Sequence, residues 1–202
     1  MGRITDKEFF NCSAEDLAIK LLGKIICYNN TKYMITVTEA YPANDCYNYA
    51  KVYGDSSFGH KCLLNNKNNQ PGTCFITSDM IHILGSIDEH ENLYNHILVR
   101  GGIKVENESL ILEDPEMNFV VGKPALLCEK KLLLPTSKNF DLTTGERVCI
   151  ENYIDVDKES IIKGRRIRLA DNNDNDKDKE QYNIKYRFYF IPNEKYSRED
   201  EI

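Results

Sequence analysis

Residues 25–41 read IICYNNTKYMITVTEAY, two runs dense in β-branched and aromatic side chains that meet at Asn29 and Asn30. Branching at Cβ suits a pleated strand better than a helix, and Asn tolerates the backbone of a tight turn. The pattern predicts a β-hairpin. Shorter runs of the same character recur at ERVCIENY (146–153), IIKGRRIRL (161–169) and NIKYRFYFI (183–191). The chain is thereby committed to a sheet whose strands come from segments far apart in sequence.

Helical signals are fewer. Ser13 can cap a helix that has Glu15 and Asp16 in its first turn, continues through LAIKLLGK and closes near Gly23. A second helix is expected over PALLCEKKLLL (124–134), with Pro124 at its first position. The apolar run TCFITSDMIHILGSI (73–87) fits either one strand or a strand followed by a short helix, because periodicity cannot separate them. HILVRGGIKV (96–105) reads as a strand ending in a glycine turn at Gly101 and Gly102, and the chain from Pro42 to Gln70 reads as irregular.

A length of 202 residues favours one domain over 1–202, with flexible loops expected at about 63–70 and 171–181. Hydrophobic residues at 41% are enough for a core, and no run approaches the length of a membrane span. An intracellular protein, cytoplasmic or nuclear and monomeric outside any complex, is expected, with no membrane partner. Seven cysteines without a CxxC pair read as reduced thiols. His60, His82, His90 and His96 do not have zinc-site spacing and read as surface or polar-core residues, so neither metal nor cofactor is expected. The net charge of −6 argues against a nucleic-acid partner only superficially. Residues 171–180 hold five acids against two bases, and 198–201 hold three against one, so five of the six excess charges sit in two segments. The remainder includes KGRRIR (163–168), where Arg165 and Arg166 are either nucleic-acid contacts or a solvated strand edge.

The string ITVTEAYPANDCYNYA (35–50) resembles the strand and loop that carry the catalytic acid in the alkyladenine (3-methyladenine) DNA glycosylase family. Further pieces follow in the family's order: LAIKLLGKII, PGTCFI, ILVRG, LLCEKKLLLPTSKNFDL and YRFYF. Together they extend the resemblance over about residues 8–192. It implies an α+β fold, a single domain with a curved, mainly antiparallel sheet and flanking helices. It also implies an enzyme that flips a damaged purine out of the duplex and hydrolyses its bond to deoxyribose. On this resemblance Glu39 is the carboxylate that activates water, Tyr41 stacks on the flipped base, and Arg100 lies beside the attacking water.

The departures are as informative. Tyr49 stands where the family has a pocket histidine, and TSDM (77–80) stands where an aromatic wedge enters the duplex. The family's purine-screening asparagine falls near Gly85 or Ile87, and in KPALLC Lys123 replaces a glycine while Leu126 replaces the phosphate-gripping lysine. Lys123 is then the candidate cation of that segment. Aromatics interleaved with a cation, Tyr47, Tyr49 and Tyr53 around Lys51, suit unpaired bases or else cover the core beneath a long loop. The reading placed first is a degenerate scaffold that binds structured RNA, ribosomal RNA or a ribonucleoprotein such as the ribosome. The alternative is an active alkylated-purine glycosylase of base-excision repair that acts on damaged DNA through Glu39.

Overall fold

The computed structural model describes residues 2–28, 31–53, 68–77, 80–106, 109–110, 139–145, 147–166 and 183–192. Chain order begins with helices α1 (Lys7–Phe10) and α2 (Ala14–Leu21), then strands β1 (Ile25–Tyr28) and β2 (Thr31–Tyr41), then the short helix α3 (Tyr49–Tyr53). Strands β3 (Thr73–Thr77), β4 (Met80–Asp88), β5 (Leu93–Glu106) and β6 (Ser109–Leu110) follow. The last four are β7 (Asn139–Asp141), β8 (Val148–Glu151), β9 (Ile162–Gly164) and β10 (Arg187–Tyr189). All pair antiparallel in the order β7-β3-β4-β5-β2-β1-β8, and β10 joins β2 to β9. The result is a mainly antiparallel α+β fold with few helices. None of the described helices is long and apolar enough to cross a membrane.

The expected hairpin forms, with Tyr28 facing Thr31 across residues 29 and 30. β2 runs for 11 residues and is the spine of the sheet. One of its edges pairs with β5, while the other is shared by β1 opposite 31–34 and β10 opposite 37–39. Helix α2 starts where the sequence predicts, Ser13 Oγ accepting from the Asp16 amide at 3.1 Å. Its buried residues Ala14, Leu17, Ala18 and Leu21 recur at helical spacing, so one stripe faces the sheet. Thr38 Oγ1 donates to the Ala18 carbonyl at 2.9 Å and fixes the contact. At the end of α2, Gly23 takes a φ of +75°, which a glycine adopts without a Cβ penalty. Beneath α2 the main core gathers Ile25, Ile26, Met34, Ile35, Ile81, Ile83, Ile97, Val99 and Phe188.

Three expectations need correction. TCFITSDMIHILGSI is two strands, β3 and β4, paired as a hairpin from Cys74–Ile83 to Thr77–Met80. Gly101 and Gly102 do not turn the chain, since β5 passes through them to Glu106. They lie opposite Val37 and Ile35, where the β2–β5 register slips, so the glycine pair marks a bulge. The stretch 42–70 also contains α3, within the loop expected to be irregular. The second helix at 124–134 and most of the two loops expected to be flexible lie outside the described residues. The five described cysteines, Cys12, Cys27, Cys46, Cys74 and Cys149, are free thiols.

Candidate active site

Alternation along a strand sends Thr38 and Ala40 to the helix side, and Glu39 and Tyr41 to the opposite face. The pairing of β2 with β5 then decides what stands beside Glu39. Its direct partner is Leu98, while Tyr41 faces His96. Between Thr38–Val99 and Val37–Gly101 the register skips Arg100, and between Ile35–Gly102 and Val37–Gly101 it skips Thr36. Such bulges re-aim side chains next to functional sites.

Arg100 Nε donates to Glu39 Oε2 at 2.6 Å, the Tyr41 hydroxyl donates to the same oxygen at 2.9 Å, and Arg100 Nη2 reaches the Tyr41 oxygen at 3.4 Å. The triangle is sealed: Glu39 is 0% exposed, Tyr41 5% and Arg100 8%. Burial, reinforced by the Glu39 carboxylate, pushes the Tyr41 phenol well above its ordinary range, so it stays a neutral donor. Burial works against the Arg100 charge, but the Glu39 carboxylate and the Tyr41 oxygen outweigh it and hold the guanidinium protonated.

A second buried cation closes the site from the side. Arg166 Nη1 donates to the Ala40 carbonyl at 3.1 Å and to Asp45 Oδ2 at 2.5 Å. Its guanidinium lies 4.6 Å from the centre of the Tyr41 ring, 5.3 Å from Tyr186 and 5.4 Å from Tyr47. It therefore pins the loop after Tyr41 against β2 and β10. Asn48 secures that loop further, Nδ2 donating at 3.1 Å to each of the Tyr41, Pro42 and Tyr94 carbonyls.

The same sheet face carries an aromatic floor. Tyr49, Phe75 and Leu84 form a buried cluster of their own, apart from the main core. His82 stacks on Phe75 at 4.7 Å with an interplanar angle of 6°, and lies 4.3 Å from Tyr49. His96, 1% exposed, stands edge-on to Tyr49, Phe75 and His82. Burial lowers its pKa to about 3, which keeps it neutral.

Of the residues singled out in the sequence, Glu39, Tyr41 and Arg100 converge, and Tyr49 lies on the same face. Arg166 is buried against Tyr41, whereas Arg165 is exposed and within 3.5 Å of Asn183 Oδ1. Lys123, Ser78 and Asp79 lie outside the described residues. Gly85 packs against the link between α1 and α2, since a Cβ there would meet the Cys12 carbonyl at 2.8 Å. Sequence reasoning missed Asp45, Asn48, His82 and His96 as members of the site. His96, Leu98 and Arg100 occupy alternate positions of β5, and that period of two was the available signal. Elsewhere, Cys27, Cys149 and Glu151 bring three potential metal-ligand atoms within 4.8 Å, but Lys32 Nζ already holds Glu151 at 2.7 Å.

Comparison with known proteins adds an independent line. A protein of Ehrlichia chaffeensis, provisionally named a 3-methyladenine DNA glycosylase, is 26% identical over 171 residues, covering 80% of this chain and 88% of its own. A protein of Ehrlichia ruminantium with the same provisional name is 26% identical over 162 residues, 75% of this chain and 76% of its own. The sequence profile of the methylpurine-DNA glycosylases matches residues 8–194. With that match running through Glu39, Tyr41 and Arg100 and almost the whole sheet around them, the chain belongs to the methylpurine-DNA glycosylase family.

Proposed function

We propose that this protein is an active purine DNA glycosylase that excises alkylated bases, with Glu39 as the base that activates water. The observation that carries the reading is the sealed triangle of Glu39, Arg100 and Tyr41. A carboxylate enclosed with a cation and a phenol can orient one water and accept its proton. Attack of that water on the sugar carbon forms a C–O bond as the C–N bond to the purine breaks. The purine leaves with the bonding electrons, and the water proton passes to Glu39. An alkylated, cationic purine is already a good leaving group, so one positioned carboxylate suffices without metal or covalent nucleophile.

The remaining residues take supporting roles. Arg100 holds Glu39 in place through Nε. Tyr41 has one ring face covered by Arg166, and the flipped base stacks on the other. Tyr49 supplies a further aromatic surface from the start of α3, and Arg165 and Lys123 contact phosphates. The relatives' names support this enzymatic alternative over the ribonucleoprotein-binding reading that the sequence departures suggest. The partner is accordingly damaged DNA.

The test is direct. Purified protein is incubated with DNA treated with a methylating agent, and abasic sites are then cleaved with alkali. Strand breaks should appear with wild type and vanish with Glu39→Gln. Breaks of equal yield from both proteins, or from neither, would refute the assignment.

A further inference from the structure

Asn48 fixes the tautomer of His96. With its Nδ2 spent on three carbonyls, its Oδ1 must be the acceptor end, and it accepts the Ala50 amide at 3.0 Å. The His96 Nδ1 lies 3.1 Å from that same oxygen, so Nδ1 carries the proton and Nε2 presents a bare lone pair. His96 Nε2 is buried and has no hydrogen-bond partner among the described residues. A buried polar atom left so costs about 1–3 kcal/mol, and its retention calls for an explanation.

Position supplies one. His96 is the direct cross-strand neighbour of Tyr41, on the Glu39 face and two pairs further along than Glu39–Leu98. Two residues of strand span roughly 7 Å. A purine bridges such a spacing from its glycosidic nitrogen to its six-position substituent. The His96 ring is itself held edge-on by aromatic neighbours, the Tyr49, Phe75 and His82 rings lying 6.3, 6.1 and 6.2 Å from it at angles of 79°, 85° and 80°.

We infer that His96 reads the far edge of the extruded base, Nε2 accepting a hydrogen bond from an exocyclic amino group. The pocket thereby takes 6-aminopurines such as 3-methyladenine and turns away 6-oxopurines such as hypoxanthine. An oxo group offers only lone pairs, and two acceptors facing each other in a dry pocket repel. A methylated, cationic adenine has an electron-poor amino group, which is a strong donor to a neutral acceptor. This inference rests on the proposed excision activity for its kinetic consequence but not for its structural one.

Two measurements test it. In wild-type protein labelled with ¹⁵N-histidine, long-range ¹H–¹⁵N correlation spectra report the state of each ring nitrogen. His96 should appear as the Nδ1–H tautomer, and free 3-methyladenine should move its Nε2 resonance while hypoxanthine leaves it in place. No shift with either base, or equal shifts with both, overturns the inference. In the kinetic arm, His96→Phe should lower the preference for 3-methyladenine over hypoxanthine at least ten-fold, and His96→Gln, which keeps an acceptor, should recover part of it. An unchanged ratio in both variants overturns the inference while leaving the glycosylase assignment intact. Absence of any excision by wild type refutes that assignment instead, and the spectra then decide the role of His96 alone.

Discussion

Replacing Arg100 by Met keeps an unbranched side chain but removes the cation 2.6 Å from a carboxylate that is 0% exposed. Breaking a buried ion pair from one side costs about 3–5 kcal/mol, because the surviving charge has lost its counter-charge in a low-dielectric setting. With a urea m-value of about 2 kcal/mol/M, the unfolding midpoint should fall by roughly 1.5–2.5 M. Adding Glu39→Gln to this background removes the stranded charge. Replacing both ions of a buried pair by neutral groups is often neutral or stabilising by about 1–4 kcal/mol, so the double variant should be more stable than Arg100→Met alone. Urea denaturation followed by circular dichroism gives the three midpoints, and the same preparations go into the excision assay. The double variant should be restored in stability yet inert in excision. If Arg100→Met stays within about 0.5 kcal/mol of wild type, or Glu39→Gln destabilises it further, the pair is not sealed from water and the reasoning fails.

Burial holds the folded His96 pKa at about 3 against 6.5 for the free side chain. Below 6.5 the unfolded chain takes up a proton that the native state refuses, so this contribution to stability is complete above pH 6.5 and is lost as pH falls toward 3. The loss is on the order of 1.4 kcal/mol per pH unit, and urea titrations of His96→Gln across the same window should show a correspondingly flatter profile. Gly23→Ala should destabilise by about 2–3 kcal/mol, from the left-handed backbone and the clash together. At φ +75° its Cβ would lie 2.7 Å from Ile154 Cγ1, whereas Gly2→Ala, with nothing within 4 Å, should leave the thermal midpoint unchanged. Residues 77–80 hold no aromatic, and a wedge offsets unstacking by about 1–3 kcal/mol, so Met80→Tyr should raise excision from duplex DNA about ten-fold with little effect on single strands.

Local chemistry made much of this legible in the sequence. The β1–β2 hairpin follows from two β-branched runs meeting at Asn29 and Asn30, and α2 follows from Ser13 and an apolar stripe at helical spacing. Glu39, Tyr41 and Arg100 could be singled out because their neighbours resemble a known pattern. What failed had a long-range cause. Arg166 and Asp45 are 121 residues apart, and no local pattern in the basic run around Arg166 announces a buried clamp. Gly101 and Gly102 imitate a turn signal, and only the register against β2 turns them into a bulge that brings Arg100 beside Glu39. TCFITSDMIHILGSI was ambiguous because a continuous apolar run fits more than one period, and its hairpin is set by pairing rather than composition. His82 and His96 looked scattered until the β3–β4–β5 pairing placed them on one face.

Identification of the released base measures the central reaction itself. Wild-type protein in excess over methylated duplex and single-stranded DNA, followed by chromatography with mass detection, should yield free 3-methyladenine that accumulates in a single exponential. Glu39→Gln, confirmed as folded, should yield none above the spontaneous background. Release at that background by wild type, or release by Glu39→Gln at the wild-type rate, would contradict the account.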